Sequence, residues 1–379
     1  MHIVVVGAGI LGASTAFHLA RSGAAVTVVD RADAGRATAA GAGIICPWVS
    51  GADDPAFYGL YVRGARYYAD LVPALAELGQ TDLGFRRTGA LVVSEDTGEL
   101  RAFNGMLERR RAATPEMGAT TILSPRDARA LFPPLHRDLA GLHVANGARI
   151  DGRRMSAGLL RAAQALGARV VEGDAVLLAS GARVTGVQVG SEIVAAHGVI
   201  VTAGAWAPSL LRGVGVALPI EPQRGQIVHL RLRGQATGDW PVILPPGSHY
   251  LLAFDDSRVV AGATRETGAG FDHRVTAAGQ AEVLAQALGV APGLADATVI
   301  ETRVGFRPVG PGIRPLLGRL RSVEGLVVGN GLGAAGLTIG PFAGSLLSAV
   351  ALGQAVPLDL APFDPQRRAA PGAPLPPLR

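Results

Sequence analysis

Residues 2–30 read HIVVVGAGILGASTAFHLARSGAAVTVVD. HIVVV alternates too little for a half-exposed strand and predicts one buried on both faces, as in a parallel sheet. GAGILG then opens an apolar helix to about Ser22, Gly23 ends it, and AVTVVD (25–30) predicts a second buried strand. Inside this strand–turn–helix–strand unit, Gly7-Ala8-Gly9-Ile10-Leu11-Gly12 fits GxGxxG in the context the pattern requires. Gly7 permits the tight turn, Gly9 lets the backbone approach a pyrophosphate, and Gly12 lets helix and strand pack closely. The helix N-terminus offers N–H groups and partial positive charge to phosphates. Asp30 ends the second strand, where a carboxylate can accept both hydroxyls of a ribose. An acid there argues against a 2′-phosphate. The unit predicts an α/β, Rossmann-like dinucleotide domain.

The whole chain has 379 residues, enough for two domains and a large core. It is 49% hydrophobic and 17% charged, a globular rather than a disordered composition. Net charge is +5, and every basic residue is Arg. No basic run carries interleaved aromatics, so no nucleic-acid face is expected. The lack of Lys excludes Schiff-base and pyridoxal-phosphate chemistry. A single cysteine, Cys46, excludes internal disulfides and thiolate metal cages. The eight histidines show no ligand spacing, so no metal site is expected. The N-terminus reads as a strand, not a signal peptide. The apolar run Leu337–Gly353 reads as a buried helix rather than a membrane span. The cytoplasm is the expected location.

Further helices are predicted at Phe57 to about Leu78, Thr97–Ala113, Ser124–Leu131, Met155–Gly167, Thr276–Leu288 and Leu337–Leu352. Strands are predicted at Phe85–Glu95, Ala168–Val171, Ala182–Val189 and Val194–Ala203. Three more, IVHLRL, YLLAF and RVVAGA, lie between Ile227 and Ala263, the last two as a hairpin on Asp255-Asp256-Ser257. TVIETRVGF (298–306) and GLVVGNG (325–331) complete the set. The nucleotide domain is expected to comprise 1–85, 150–219 and 300–360. An α+β domain built on an antiparallel sheet fills 86–149 and 220–299. The Pro-rich tail, 361–379, is expected to stay outside the core.

A cofactor that stays bound must be gripped by distant parts of the chain. Two further glycine-rich segments suit a flavin: Ala39–Ile44, and Gly329–Thr338, which lies between a strand and a helix. A helix N-terminus there can face the negative charge that a reduced flavin carries. NAD and FAD both remain open at this point.

In order and context, several stretches together resemble one family. They are VVGAGILGASTAFHLARSGAAVTVVDR, VIVTAGAWAPSLL, PQRGQ, HYLLAF followed by RVVAGAT, VGFRPVGPGIRPLLG, and VVGNGLGAAGLTIGPFAG. Over Ile3 to about Gly353 the chain resembles the FAD-dependent D-amino-acid oxidase family, in its glycine oxidase and D-amino-acid dehydrogenase branch. The resemblance implies a flavin domain and a substrate domain whose sheet covers the flavin. It implies FAD contacts at Gly7, Gly9, Ile10, Leu11, Asp30, Arg31, Ala42, Gly43, Ile44, Val176, Ala203 and Gly204. Gly331, Leu332, Gly333, Gly336, Leu337 and Thr338 would border the ring. The Arg of the family's GxRP segment, here Arg307, would bind a substrate carboxylate. A guanidinium suits that role, since it is a planar fork that stays charged when partly buried. Tyr250 would assist it, and Arg224 is a candidate substrate contact. Arg303 reads as a surface or supporting residue, and His249 and Trp48 as structural.

Three departures from the family pattern stand out. PVGPGIRP carries Arg314 where relatives have an acid-containing turn. The last glycine loop holds no His or Arg. Cys46 is not in place to tether a flavin, so FAD is expected to be non-covalent. The expected activity is oxidation of an amino acid (D-amino acid, glycine, or an N-methylated or cyclic one), with oxygen or another electron acceptor. The alternatives are an NAD-dependent dehydrogenase and a non-catalytic flavoprotein or subunit of a larger amine dehydrogenase.

Overall fold

The computed structural model describes residues 1–367. The opening unit folds as its sequence predicts: β1 (His2–Val6), α1 (Ile10–Arg21) and β2 (Ala25–Asp30), with β1 and β2 paired in parallel. They belong to a six-stranded sheet that also contains strands Arg169–Glu172, Gly198–Val201, Leu326–Asn330 and Leu316–Arg319. β1 lies at its centre, between β2 and Gly198–Val201, and only Leu316–Arg319 runs antiparallel. The central strands are apolar because helices cover one face and other elements cover the other.

A second, eight-stranded sheet draws its strands from residues 90–144 and 221–309. Its longest pair is Glu221–Arg231 against Thr298–Val309. The predicted hairpin forms with Tyr250–Phe254 against Arg258–Gly262. The sheet is not wholly antiparallel, since Val242–Leu244 runs parallel to Ala90–Ser94. Strand Thr298–Val309 lies wholly in this sheet, so the expected domain boundary at residue 300 falls inside it.

Other departures from the sequence reading have local causes. The predicted strand 194–203 is two strands. Glu192–Ala195 closes a small antiparallel sheet with Arg183–Val189, whereas Gly198–Val201 joins β1. Between them, Ala196 N donates to Thr185 O and His197 N donates to His2 O, so the chain changes sheet at that point. The predicted strand 85–95 is interrupted by Gly89, at φ +78°, and the regular part is Ala90–Ser94. Residues 361–367 are not a free tail. Phe363 is fully buried in the core, Asp364 pairs with Arg321, and Arg367 donates to the Arg314 and Pro315 carbonyls. The rest of the expected tail, 368–379, lies outside the described residues.

The helical stretch Gly333–Leu352, which contains the helix Gly336–Leu352, is long and apolar enough to cross a membrane, but most of it is buried inside the fold. It packs on α1 and on the helix Pro55–Ala76. The approach to α1 is close because Gly344 has no side chain. A Cβ there would stand 2.6 Å from Ser14 Cβ and 2.8 Å from Thr15 N. Gly344→Ala should therefore destabilise the protein by about 1–3 kcal/mol through overpacking, measured by denaturant unfolding.

Candidate active site

A cavity of about 490 Å³ lies between the two sheets. One end begins at the β1–α1 turn. Gly7 takes φ +102°, and a Cβ on Gly12 would lie 1.8 Å from Gly7 O and 2.5 Å from Thr202 Oγ1. This contact lets α1 start directly over the strand ends. Asp30, at the end of β2, accepts from Ala8 N at 2.6 Å and from Ala32 N at 2.7 Å. Its carboxylate is thus held at the mouth of the turn, with Arg36 3.2 Å away.

Gly7, Gly9, Ile10, Leu11, Asp30, Arg31, Ala42, Gly43, Ile44, Val176, Ala203 and Gly204 all line this cavity. So do Gly331, Leu332, Gly333, Gly336 and Leu337. Thr338 does not. It is buried, and its hydroxyl donates to Ile44 O at 3.0 Å, tying the last glycine-rich segment to the one after β2. The cavity thus joins segments more than 300 residues apart in sequence, as a large, tightly held cofactor requires.

The lining fits FAD on two structural grounds. First, α1 and Gly336–Leu352 both begin at the cavity, and neither is capped by the side chain of its own N-cap residue. Ile10 N is taken by Thr38 Oγ1 at 2.9 Å. The two positive helix ends suit a pyrophosphate and the electron-rich edge of a flavin. Second, Cβ atoms built on Gly204 and Gly333 would meet nothing within 4 Å, so the wall is bare where a ligand backbone or ring would press.

The other end of the cavity is formed by the eight-stranded sheet. Alternate residues of a strand share a face, and paired residues point the same way. Gly305 and Arg307 therefore line the cavity together with Gly225, and Gln223, the ladder partner of Arg307, stands on the same face just outside the lining. Arg307 donates to Gln223 Oε1, and no carboxylate among the described residues pairs with it. Burial pushes its pKa below the ordinary arginine value, nearby Tyr250 raises it, and Arg265 lowers it further. Tyr250 lies beside it on the cavity wall. Burial pushes the phenol up to about 12, with Arg307 and Arg265 pulling it back, so it stays protonated near neutral pH and can donate.

Arg224 is not a cavity residue. It points to the opposite face of its strand, where Glu266 and Asp272 (2.8 Å) take its guanidinium. The two carboxylates leave it no charge to offer a substrate. Arg303 shares the face of Arg307 because the strand is unbroken, but it lies beyond the cavity and pairs with Glu301 at 2.6 Å. Arg314 is neutralised by Asp54 at 2.7 Å, across 260 residues of sequence, which balances the acid missing from its own turn. Trp48 is buried away from the cavity lining. His249 does line the cavity, with Nε2 3.3 Å from Glu282. Arg265 also lines it and is absent from the sequence reading. The available signal was alternation from Ala263, the residue two before it on the same wall.

Residues 2–350 match the family described as DAO, FAD dependent oxidoreductase. The chain belongs to this family of FAD-dependent oxidoreductases. That sets the NAD-dependent alternative aside. The chain is similar to a solved iminodiacetate oxidase (IdaA) from Chelativorans sp. BNC1, with a TM-score of 0.93 and 52% identity. That match covers 96% of this chain and 98% of the other. It is 48% identical to the uncharacterized oxidoreductase YurR of Bacillus subtilis (strain 168), over 96% of this chain and 98% of that one. It is 29% identical to a glycine oxidase of Pseudomonas putida (strain KT2440), over 97% and 98% respectively.

Because Gly12 seats α1 on the turn, Gly12→Ala should leave the protein with at least tenfold less flavin after purification, read as visible absorbance relative to protein. Retention of a full flavin complement would show that the turn tolerates the added methyl group.

Proposed function

We propose that the protein oxidises a small amine whose reacting carbon bears a carboxylate: an amino acid or an N-substituted relative of one. The observation that carries this reading is Arg307, a half-buried guanidinium on the cavity wall that no carboxylate among the described residues pairs with. An uncompensated buried charge is costly, and a bound anion relieves it. The solved relative described as an iminodiacetate oxidase, at 52% identity, supports a secondary amine flanked by carboxymethyl groups as a substrate class.

Arg307 fixes the carboxylate as a bidentate partner, with its other contact to Gln223 limiting rotation of the fork. Tyr250 donates its hydroxyl from the same wall, and its ring closes that side of the cavity. Together they hold the α-carbon in one orientation, which is how a binding residue lowers a barrier it does not touch. Among the described residues no carboxylate pairs with Arg307, and the oxidation uses the neutral amine, whose lone pair forms the imine. FAD, held non-covalently by the glycine-rich segments that line the cavity, would supply the two-electron oxidation at the α-carbon. The resulting imine takes up water and splits into a keto or aldehyde acid and ammonia or an amine. Oxygen or another acceptor would take up the two electrons. The cytoplasm is the location this reading assumes.

Arg307→Leu should raise KM for carboxylate amines by on the order of 100-fold, the weight of a charge-assisted bidentate contact, while flavin content stays normal. Steady-state kinetics and flavin absorbance test it, and an unchanged KM would remove Arg307 from this role. An anaerobic screen of D- and L-amino acids and N-substituted glycines, read as flavin bleaching, separates an enzyme from a flavoprotein that turns nothing over.

A further inference from the structure

Arg224 faces away from the cavity, yet its guanidinium is fully engaged by a single loop. This is the segment 266–275, between the strand Arg258–Gly262 and the helix Ala277–Val290. Nε and one terminal nitrogen donate to the Glu266 carboxylate, the first at 2.9 Å. The other terminal nitrogen donates to the Asp272 carboxylate at 2.8 Å and to the Asp272 carbonyl at 3.2 Å. Arg224 and Glu266 also exchange backbone hydrogen bonds, at 2.9 and 3.1 Å. Both feet of the loop are thereby fixed to the eight-stranded sheet by charge-assisted bonds. Between the feet the chain turns through Gly268 and Gly270, at φ +82° and +58°, and a Cβ on either would meet nothing within 4 Å.

The loop carries Phe271 to the other body of the protein. The Phe271 ring stacks on Trp206, with centroids 5.2 Å apart and planes at 22°, and meets Phe306 edge-on at 5.2 Å. Trp206 and Phe306 also meet edge-on, at 5.9 Å. Phe306 is the ladder partner of Arg224 in the eight-stranded sheet, so ring and guanidinium share a face. Trp206 belongs to the turn that follows Gly198–Val201 of the six-stranded sheet, and lines the cavity beside Ala203 and Gly204. Phe271 does not line the cavity and is 47% exposed. Three rings at the spacing of favourable aromatic pairs thus join the two walls of the cavity from outside it.

The loop is held unequally. Its feet rest on ion pairs within one sheet, whereas its tip rests on ring contacts between two bodies. Parting the rings therefore frees one wall from the other without disturbing either core. A dinucleotide pressed between two walls leaves faster when they can part. We propose that this loop is a latch that retains the cofactor. Phe271 fastens the substrate sheet to Trp206, and Arg224 is the positioning residue that holds the loop where Phe271 meets it. The latch sets how long FAD stays bound, whichever amine the protein oxidises.

The test needs no turnover. The FAD-loaded protein is dialysed against flavin-free buffer, and the flavin left on it is followed by visible absorbance. Phe271→Ala should lose FAD on the order of 3- to 10-fold faster than the unaltered protein, the weight of one aromatic pair. Phe271→Tyr keeps the ring and should stay within about twofold of the unaltered rate. Asp272→Ala takes one foot from Arg224 and should speed the loss by a similar factor to Phe271→Ala. The double variant should be no more than about twofold faster than the faster single one, because both changes act through one contact. With excess FAD in the buffer, Phe271→Ala should carry a full flavin complement. An unaltered rate of loss in Phe271→Ala overturns the latch, and so does equal acceleration in Phe271→Tyr. A Phe271→Ala protein that stays flavin-poor in excess FAD also overturns it, since the site itself is then damaged. Effects that multiply in the double variant overturn the link between Arg224 and the ring contact.

Discussion

The substrate end of the cavity depends on the strand Glu221–Arg231 being hydrogen-bonded along both edges. One edge carries Thr298–Val309, and the other carries Arg258–Gly262 and the segment that continues to Glu266. Register in a sheet decides which face every side chain takes, and a shift by one residue would reverse them all. Here it sends Arg307, Gly225 and Arg265 toward the cofactor cavity, and Arg224 and Glu266 away from it. The same ladder thus separates the paired charges from the unpaired ones.

That separation is visible because the other buried or half-buried arginines on and beside this sheet are satisfied. Arg149 donates to Asp255 and lies over the Phe254 ring, and Arg258 meets Asp151 and Asp256. Arg303 has Glu301, and Arg224 has two carboxylates. A buried ion pair adds little net stability, but a lone buried charge is strongly unfavourable. Against such consistent neutralisation, guanidiniums left facing a cavity mark a place for an anion.

Much of the nucleotide end was legible in the sequence because its determinants are local. The turn glycines, the helix they open and Asp30 lie within 30 residues and carry their geometry with them. Arg307 was legible through its motif. The rest depended on partners distant in sequence. Nothing near Arg224 shows that Asp272 and Glu266 will close on it. Adjacency would pair Arg265 with Glu266, but consecutive residues of an extended segment point to opposite faces. Arg314 lacked an acid in its own turn, and only folding brought Asp54 to it. Strand 194–203 misled for a similar reason, since a largely apolar run does not reveal that the chain leaves one sheet for another at His197.

The C-terminal segment has a practical side. Phe363 fills the core, while Arg367 grips the carbonyls of Arg314 and Pro315, next to the residue that Asp54 anchors. These residues act as a clasp that locks the hairpin of Leu316–Arg319 and Leu326–Asn330 onto the body of the protein. Shortening the chain at 360 would pull out an aromatic plug and loosen the support beneath the final glycine loop. A purification handle or fluorescent fusion is better joined beyond Arg367, leaving that clasp intact.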